Sequence, residues 1–394
     1  MEKIAQNTKS DYKHTELGII PKKWNWKLLS NIAKIERGKF THRPRNDPKY
    51  YGGDYPFIQT GDVVSSNGKI ITFTQTLNEK GLSVSKLFSE KIIVMTIAAN
   101  IGNTAITTFP ICFPDSLVGI STNELDIEYL EYFLRTKKNF LNNIATNSAQ
   151  KNINLETLKP LYILVPDQLN EQQKISGVLS DMGNLINNME KLIEKKKNIK
   201  QGTMQELVTG KRRLEGFSTE WESKSLSKIL DYEQPTEYLV KNTEYNDKYS
   251  IPVLTAGKTF ILGYTNEKNS IFQNVPVIIF DDFTTSSKYV DFSFKAKSSA
   301  MKILKPKNEN VNLKFVYERM QLINFPLGNH KRHWISEFSN LLIKVPECEE
   351  QNKISQIISD MELEIKQLET QKKKYSMIKQ GMMQKLLTGE IRIK

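Results

Sequence analysis

EQQKISGVLSDM, beginning at Glu171, returns as EQNKISQIISDM at Glu350. The echo closes with IKQGTMQELVTGKRRL in the first copy and IKQGMMQKLLTGEIRI in the second. A constant shift of 179 carries residues 171–214 onto 350–393 without a gap, and 21 of the 44 pairs are identical. Ordinary composition gives roughly three matches by chance, so the stretch is an internal repeat.

Its period is helical. Apolar residues fall at Ile175, Leu179, Met182, Ile186, Met189 and Ile193 in the first copy. In the second they fall at Ile354, Ile358, Met361, Ile365 and Leu368, then Tyr375, Met382 and Leu386. Steps of three and four make a heptad-like stripe, interrupted by Lys196 and Lys372. Asn170 and Gln173 have the spacing of a capping box. Gly210 and Gly389, each after a Thr, read as C-terminal stops. A helix over residues 171–208 would be about 55 Å long at ~1.5 Å per residue. Gly202 and Gly381 occupy the same place in both copies. Each costs up to ~1 kcal/mol against Ala, which predicts a kink or a close contact there. A long helix that is apolar on part of its circumference needs a partner, and the nearest is its own copy. The reading is a helix pair acting as a spacer between two larger units.

With 394 residues the chain exceeds one ordinary core, so several domains are expected. Lys and Arg number 56 against 44 Asp and Glu, a net charge of +12. That balance favours a polyanionic partner, nucleic acid before membrane. Two cysteines, Cys112 and Cys348, exclude a disulfide scaffold and suit a reducing compartment. The first residues, MEKIAQNTKSDYKH, lack a signal-peptide core. The longest apolar runs, such as IIVMTIAA at 92–99, are far too short to span a bilayer. A cytoplasmic protein is expected.

Outward from the first repeat, residues 1–17 read as a loose polar lead. Trp24, Leu29 and Ile32 begin a packed segment, and 37–56 reads as loop, rich in Gly, Pro, cations and tyrosines. Strand-like runs follow at PFIQ, KIITF, KIIVMTI and TAITTF. A helical pattern covers 126–142, and a last strand, LYILVP, ends at Pro166. The order begins again after the helix. Trp221, Leu226, Ser227 and Ile229 match Trp24, Leu29, Ser30 and Ile32 at a shift of 197. Strand runs IPVLTA, VPVIIF, YVDFSF and AMKIL, a helical 312–323 and the strand NLLIKVP follow. The fold class is therefore α+β: two β-rich domains alternating with two long helices. The boundaries are 1–170 (with the lead 1–17), 171–210, 211–349 and 350–394.

Catalytic motifs are missing from this pattern. There is no dinucleotide or P-loop glycine motif; GKFT at Gly38 lacks the upstream Gly. NDPKYY at 46–51 approaches the Asn/Asp-Pro-Pro-aromatic motif of amino-methyltransferases but lacks the second Pro. His330 and His333 have no Cys or carboxylate cluster with them. FDD at 280–282 reads as a turn after a buried strand rather than as a metal-nuclease site with Lys288. The chain reads as non-catalytic, with no metal site.

Three groups of loop residues carry donors suited to phosphates and base edges. The first is Lys39, Thr41, Arg43, Arg45, Asn46, Lys49, Tyr50 and Tyr51. The second follows the central strand of each domain: Asn100, Gly102 and Asn103 in one, Thr284, Thr285, Ser286, Ser287 and Lys288 in the other. The third precedes each last strand: Ser148, Gln150, Lys151 and Asn152, then Asn329, His330, Lys331, Arg332 and His333. Any one of these side chains alone is more simply a solvated loop residue. As groups in a basic, duplicated protein they point to DNA.

The whole chain resembles the specificity subunit of a type I restriction-modification system. The matching pieces are W-x-x-x-x-L-S at Trp24 and Trp221, IAANIG at 97–102 and FDDFTTSSKYVDFSF at 280–294. To these add Val165-Pro166, Val345-Pro346 and the helices that begin EQxKI and end MQxLxTG. The resemblance implies two target recognition domains, each reading half of a split double-stranded DNA sequence. It implies an antiparallel coiled coil of the two helices, with internal pseudo-twofold symmetry, that fixes the gap between the halves. It further implies two methyltransferase subunits using S-adenosylmethionine on adenine, and restriction subunits using ATP and Mg. No cofactor is assigned to this chain itself. The lead before Gly18 has no copy ahead of Gly216. The competing reading is a scaffold whose β domains bind proteins.

Overall fold

The repeated stretch forms two long helices, Leu169–Leu207 and Cys348–Leu387. The structure, a computed structural model, describes residues 11–16, 18–89, 91–146, 152–257, 259–325 and 332–393. The chain divides into two units, residues 1–189 with 371–394 and residues 190–370, so each long helix contributes to both. Among the described residues no helix is long and apolar enough to cross a membrane.

The first helix begins at Leu169, one residue before Asn170. Asn170 therefore lies inside the first turn and is not the cap the sequence suggests. Gly210 and Gly389 both take φ +73°, the left-handed conformation that stops a helix. Gly202 and Gly381 stand inside unbroken helix, and a Cβ at either would meet nothing within 4 Å. The close contact expected there is absent.

In unit one a five-stranded sheet runs in the order Lys34–Arg37, Leu117–Ser121, Ile93–Thr96, Thr104–Thr107, Lys69–Ile70. Its central strand, IVMT, is buried throughout, as β-branched residues covered on both faces should be. A second sheet orders Gln75–Leu77, Tyr51–Phe57, Ile111–Cys112 and Leu87–Phe88. Part of the stretch read as loop is thus strand. Tyr51–Phe57 tolerates Gly53 because its register breaks between Tyr51 and Tyr55, and a Cβ on Gly53 would sit 2.4 Å from Asn78 Cα. The helical pattern at 126–142 is two helices, Ile127–Thr136 and Lys138–Thr146. The lead also departs from expectation: Tyr12–Thr15 pairs with Gly18–Pro21, and the Tyr12 hydroxyl donates to the Gly389 carbonyl at 3.0 Å.

Unit two repeats the main sheet with Leu230–Glu233, Met301–Pro306, Val277–Asp281 and Ser287–Val290, in that order. A three-stranded sheet of Ile261–Thr265, Ile251–Leu254 and Lys295–Ala296 lies in the same unit. In each unit the last strand pairs antiparallel with the strand carrying or following the repeated Trp: Tyr162–Pro166 with Trp24–Leu28, and Leu342–Val345 with Glu222–Ser225.

Each core takes in the start of one long helix and the end of the other. In unit one Ile175, Leu179, Leu386 and Leu387 join Trp24, Val118 and Leu130. In unit two Met204, Leu207, Ile354 and Ile358 join Leu226, Ile278 and Phe315. Within each unit the two helix segments run antiparallel. Glu171 meets Arg392, and a Cβ on Gly183 would lie 2.6 Å from Lys379 Nζ, in unit one. Lys200 meets Glu362 at 2.9 Å and Arg213 meets Glu350 at 2.7 Å in unit two. Lys196, which interrupts the apolar stripe, pairs with Glu364 at 2.7 Å.

The EQ that opens both copies has the same work in each. Glu171 and Glu350 are both buried and both gripped by an Arg. Gln172 donates to the Pro166 carbonyl at 3.0 Å and accepts from the Asp126 N–H at 2.9 Å. Gln351 donates to the Pro346 carbonyl at 2.9 Å and accepts from the Asn312 N–H at 2.9 Å. Asp126 and Asn312 are the N-caps of Ile127–Thr136 and Leu313–Gln321, accepting from Tyr129 N and Phe315 N. One amide thus locks last strand, cap and long helix together.

Candidate nucleic-acid interface

The first loop group is built on a buried aromatic floor. Phe40 packs against Tyr50, Tyr51 and Phe57 at centroid distances of 5.2 to 6.0 Å. Gly38 lets the loop pass close over Phe113 and Pro114, since a Cβ there would lie 2.3 Å from the Pro114 carbonyl oxygen. Tyr50 is half-buried, its hydroxyl 3.0 Å from His42 Nδ1, so it is a packing residue more than a presented one. Lys49 pairs with Asp47 at 2.9 Å and holds its carboxyl below the usual carboxylate range. Thr41 leans on the Val84 carbonyl at 3.4 Å. Lys39 and Asn46 are exposed.

Arg43 and Arg45 both reach Asp115, in the turn between Ile111–Cys112 and Leu117–Ser121. Arg37, at the end of its strand, donates Nε to the Asp115 carbonyl at 2.7 Å. Neither Arg37 nor Asp115 was found by reading the sequence. Asp115 lies 70 residues from Arg45, and nothing in the spacing marks the pair.

The second group sits on tight turns. Asn100 is exposed with φ +39°, and its carbonyl accepts from Thr96 Oγ1 at 2.6 Å. Asn103 is committed inward: its amide donates to the Asn100 carbonyl and its Oδ1 accepts from Lys138 Nζ at 2.8 Å. It is therefore a turn-former, not a free reader. In unit two Asp281 Oδ1 accepts from Phe283 N at 2.9 Å, closing the turn that presents Thr284, Thr285 and Ser286. Thr285 has φ +57° and Lys288 projects from the following strand, exposed. Phe283, 42% exposed at the same turn, was not among the sequence candidates. FDD is only partly the turn expected of it: Phe280 and Asp281 end the buried strand and Asp282 begins the turn, itself buried beside Lys302 at 3.5 Å.

In the third group Gln150, Lys151, His330 and Lys331, with Ser148 and Asn329, lie outside the described residues. Arg332 is exposed. His333 corrects the sequence reading: it is 1% exposed, packs on Phe325 at 5.3 Å, and cannot offer its ring to a ligand on the surface.

The structure brings these groups together in unit one. Asp115 holds the first group, its neighbour Ser116 accepts from Ile97 N at 3.1 Å, and Ala98 bridges to Asn152. In unit two, Asp282 accepts from His333 N and Trp334 N at 2.8 Å each, tying the third group to the second. In both units the segment after the central strand is thus tied to the segment before the last strand.

This arrangement belongs to a known class. The family model of the type I restriction modification DNA specificity domain matches residues 21–201 and again 218–375. The chain belongs to that family. It is 53% identical over 148 residues to the EcoR124I/EcoR124II specificity subunit of Escherichia coli, a match covering 36% of each chain. So the chain spans about a third of the length of that relative. It is 25% identical over 429 aligned positions to a putative type I specificity subunit, MjaX, of Methanocaldococcus jannaschii, covering 98% and 97% of the two. In fold it is similar to the crystal structure of the S subunit of a type I system from M. genitalium, with TM-score 0.62, 15% identity and 92% and 96% coverage.

Proposed function

We propose that each unit reads one half of a bipartite double-stranded DNA sequence and that the paired long helices set the gap between the halves. The observation that carries this is an exchange of equivalent contacts. Glu171 of the first copy is held by Arg392 of the second, and Glu350 of the second by Arg213 of the first. Reciprocal contacts of this kind are what a twofold relation produces. They support an antiparallel coiled coil with the two domains as pseudo-equivalent readers. Two readers so related would contact major-groove edges about one turn, roughly 34 Å, or more apart.

The chain supplies recognition, and chemistry comes from its partners. Two methyltransferase subunits dock on it and bring S-adenosylmethionine for adenine N6 methylation. Restriction subunits bring ATP and Mg for cleavage. The loop donors of unit one (Lys39, Arg45, Asn46, Asn100) and unit two (Thr284, Ser286, Lys288, Arg332) are the presented contacts.

The test is single-molecule sequencing of modified bases in cells expressing the chain with its methyltransferase, against cells without it. A new adenine-methylated motif in two parts with a fixed gap is the expected result. Lengthening both helices by the same number of residues should change the gap alone. Exchanging one domain should change one half alone. Absence of any motif, with both proteins expressed and associated, would favour the scaffold reading.

A further inference from the structure

We infer that Asp115 is a positioning residue that aims Arg45 at a base edge of the DNA half read by unit one, with Arg43 as the staple of the loop. The inference rests on the reading that unit one contacts DNA, and names how one contact is made.

Three guanidinium groups converge on one residue. Asp115 takes Arg43 Nη2 on Oδ2 at 3.3 Å and Arg45 Nη2 on Oδ1, while its carbonyl takes Arg37 Nε at 2.7 Å. Three cations against one carboxylate leave an excess of two positive charges. Arg43, Arg45 and Asp115 are 53%, 42% and 38% exposed in their side chains. Exposed pairs of this kind contribute about 0–1 kcal/mol each, so stability alone does not account for gathering three arginines here. A polyanion laid across the cluster does.

The donors divide the two arginines by role. Arg43 spends Nη1 on the carbonyls of Phe40 and His42, at 2.6 and 2.9 Å, and Nη2 on Asp115. It ties the loop to itself with three of its five N–H donors spent, two of them on the loop's own carbonyls. Among the described residues Arg45 gives one Nη2 N–H to Asp115 and makes no other side-chain hydrogen bond, so its second Nη2 N–H stays beside Nε–H or Nη1–H as a parallel donor pair. A guanidinium needs two N–H donors to take guanine O6 and N7 together. Fixing a long Arg before binding removes part of the entropy that docking would otherwise cost.

The platform under Asp115 is firm. Leu117 N donates to the Pro114 carbonyl at 3.0 Å and Ile97 N to the Ser116 carbonyl at 3.1 Å, while Phe113 is fully buried. The carboxylate is thus held by a sheet turn, not by the loop it steers.

Simple electrostatics and positioning predict opposite outcomes for Asp115→Asn. Removing an acid beside DNA should tighten binding to every sequence. Removing an aiming group should lower discrimination. The full chain is co-expressed with its methyltransferase, as wild type, D115N and R45K, and read by modified-base sequencing and by binding to cognate and scrambled duplexes. In D115N the cognate-to-scrambled ratio is expected to fall roughly tenfold or more. The methylated motif should relax in one half, and the other half serves as an internal control for folding. R45K, which keeps the charge and loses the fork, should relax the same position.

Tighter binding to all duplexes by D115N with an unchanged ratio overturns the inference. So does a uniform loss in R45K across all sequences, the signature of a phosphate contact. A wild type without any bipartite motif overturns the reading beneath it instead.

Discussion

Arg392 closes a two-pronged ion pair on Glu171, Nε to Oε1 and Nη2 to Oε2, both at 2.8 Å. The carboxylate side chain is 7% exposed and the guanidinium 17%. Removing one member of such a pair strands the other charge in a poorly hydrated place, a loss of about 3 kcal/mol. Unfolding of Arg392→Ala should register that loss, and the reversed pair E171R/R392E should recover part of it. A loss below about 0.5 kcal/mol, the size of an exposed pair, would contradict the account.

Gln351→Ala removes the partner of two backbone groups at once, the part-buried Asn312 N–H and the buried Pro346 carbonyl. Leaving a buried polar group unmet costs roughly 1–3 kcal/mol, which applies in full to the Pro346 carbonyl. The variant should melt well below wild type. Because the amide also fixes Asn312, the cap of Leu313–Gln321, that helix should lose amide-exchange protection first.

Stability should also carry an acid-sensitive component at Glu362. Burial pushes its carboxyl up, but hydrogen bonds from Lys314 and Lys200 outweigh this and hold it below the ordinary value of 4.5. A carboxylate lowered by folding stabilises above its unfolded value and loses that contribution as pH falls through the folded one. Glu362→Gln should therefore be less stable than wild type at neutral pH, with the gap closing on the acid side of 4.5. A gap that stays constant down the acid limb would show the pair to be idle.

The repeat exposes an unfilled position. Lys200 faces Glu362 in unit two, yet its equivalent Lys379 faces Gly183 in unit one. Gly183→Glu supplies the missing carboxylate and removes a helix-interior glycine worth up to ~1 kcal/mol. The ammonium is the flexible end of its side chain, so it can move to accept the new neighbour. Thermal unfolding should rise by the equivalent of about 1 kcal/mol. Destabilisation would mean that the space beside Lys379 cannot open.

The long helices were legible because periodicity and duplication reinforce each other, down to the stops at Gly210 and Gly389. The main strands were legible where β-branched runs are buried on both faces, as at Ile93–Thr96 and Val277–Asp281. Tyr51–Phe57 was hidden by Gly53, which sits where the register breaks, and by Pro56, which lies opposite Thr76. At the interface, the sequence identified residue types but not their commitments. Asn103 turns inward to Lys138, and His333 is buried against Phe325. Asp115 gathers three arginines from a single stretch, 37–45, that ends 70 residues before it, a relation only tertiary structure creates.

The composition of unit one has a consequence for how the protein is made. Its core includes Leu386 and Leu387, and its Glu171 waits for Arg392. The ribosome adds these only after all of residues 190–370. At about 5–20 residues per second the delay is roughly ten to forty seconds. Through that interval the first domain is synthesised but lacks the helix that completes it. Unit two, whose residues form one continuous stretch, can close first. The domain translated earliest is therefore the last to finish folding, and the one most in need of protection on the nascent chain.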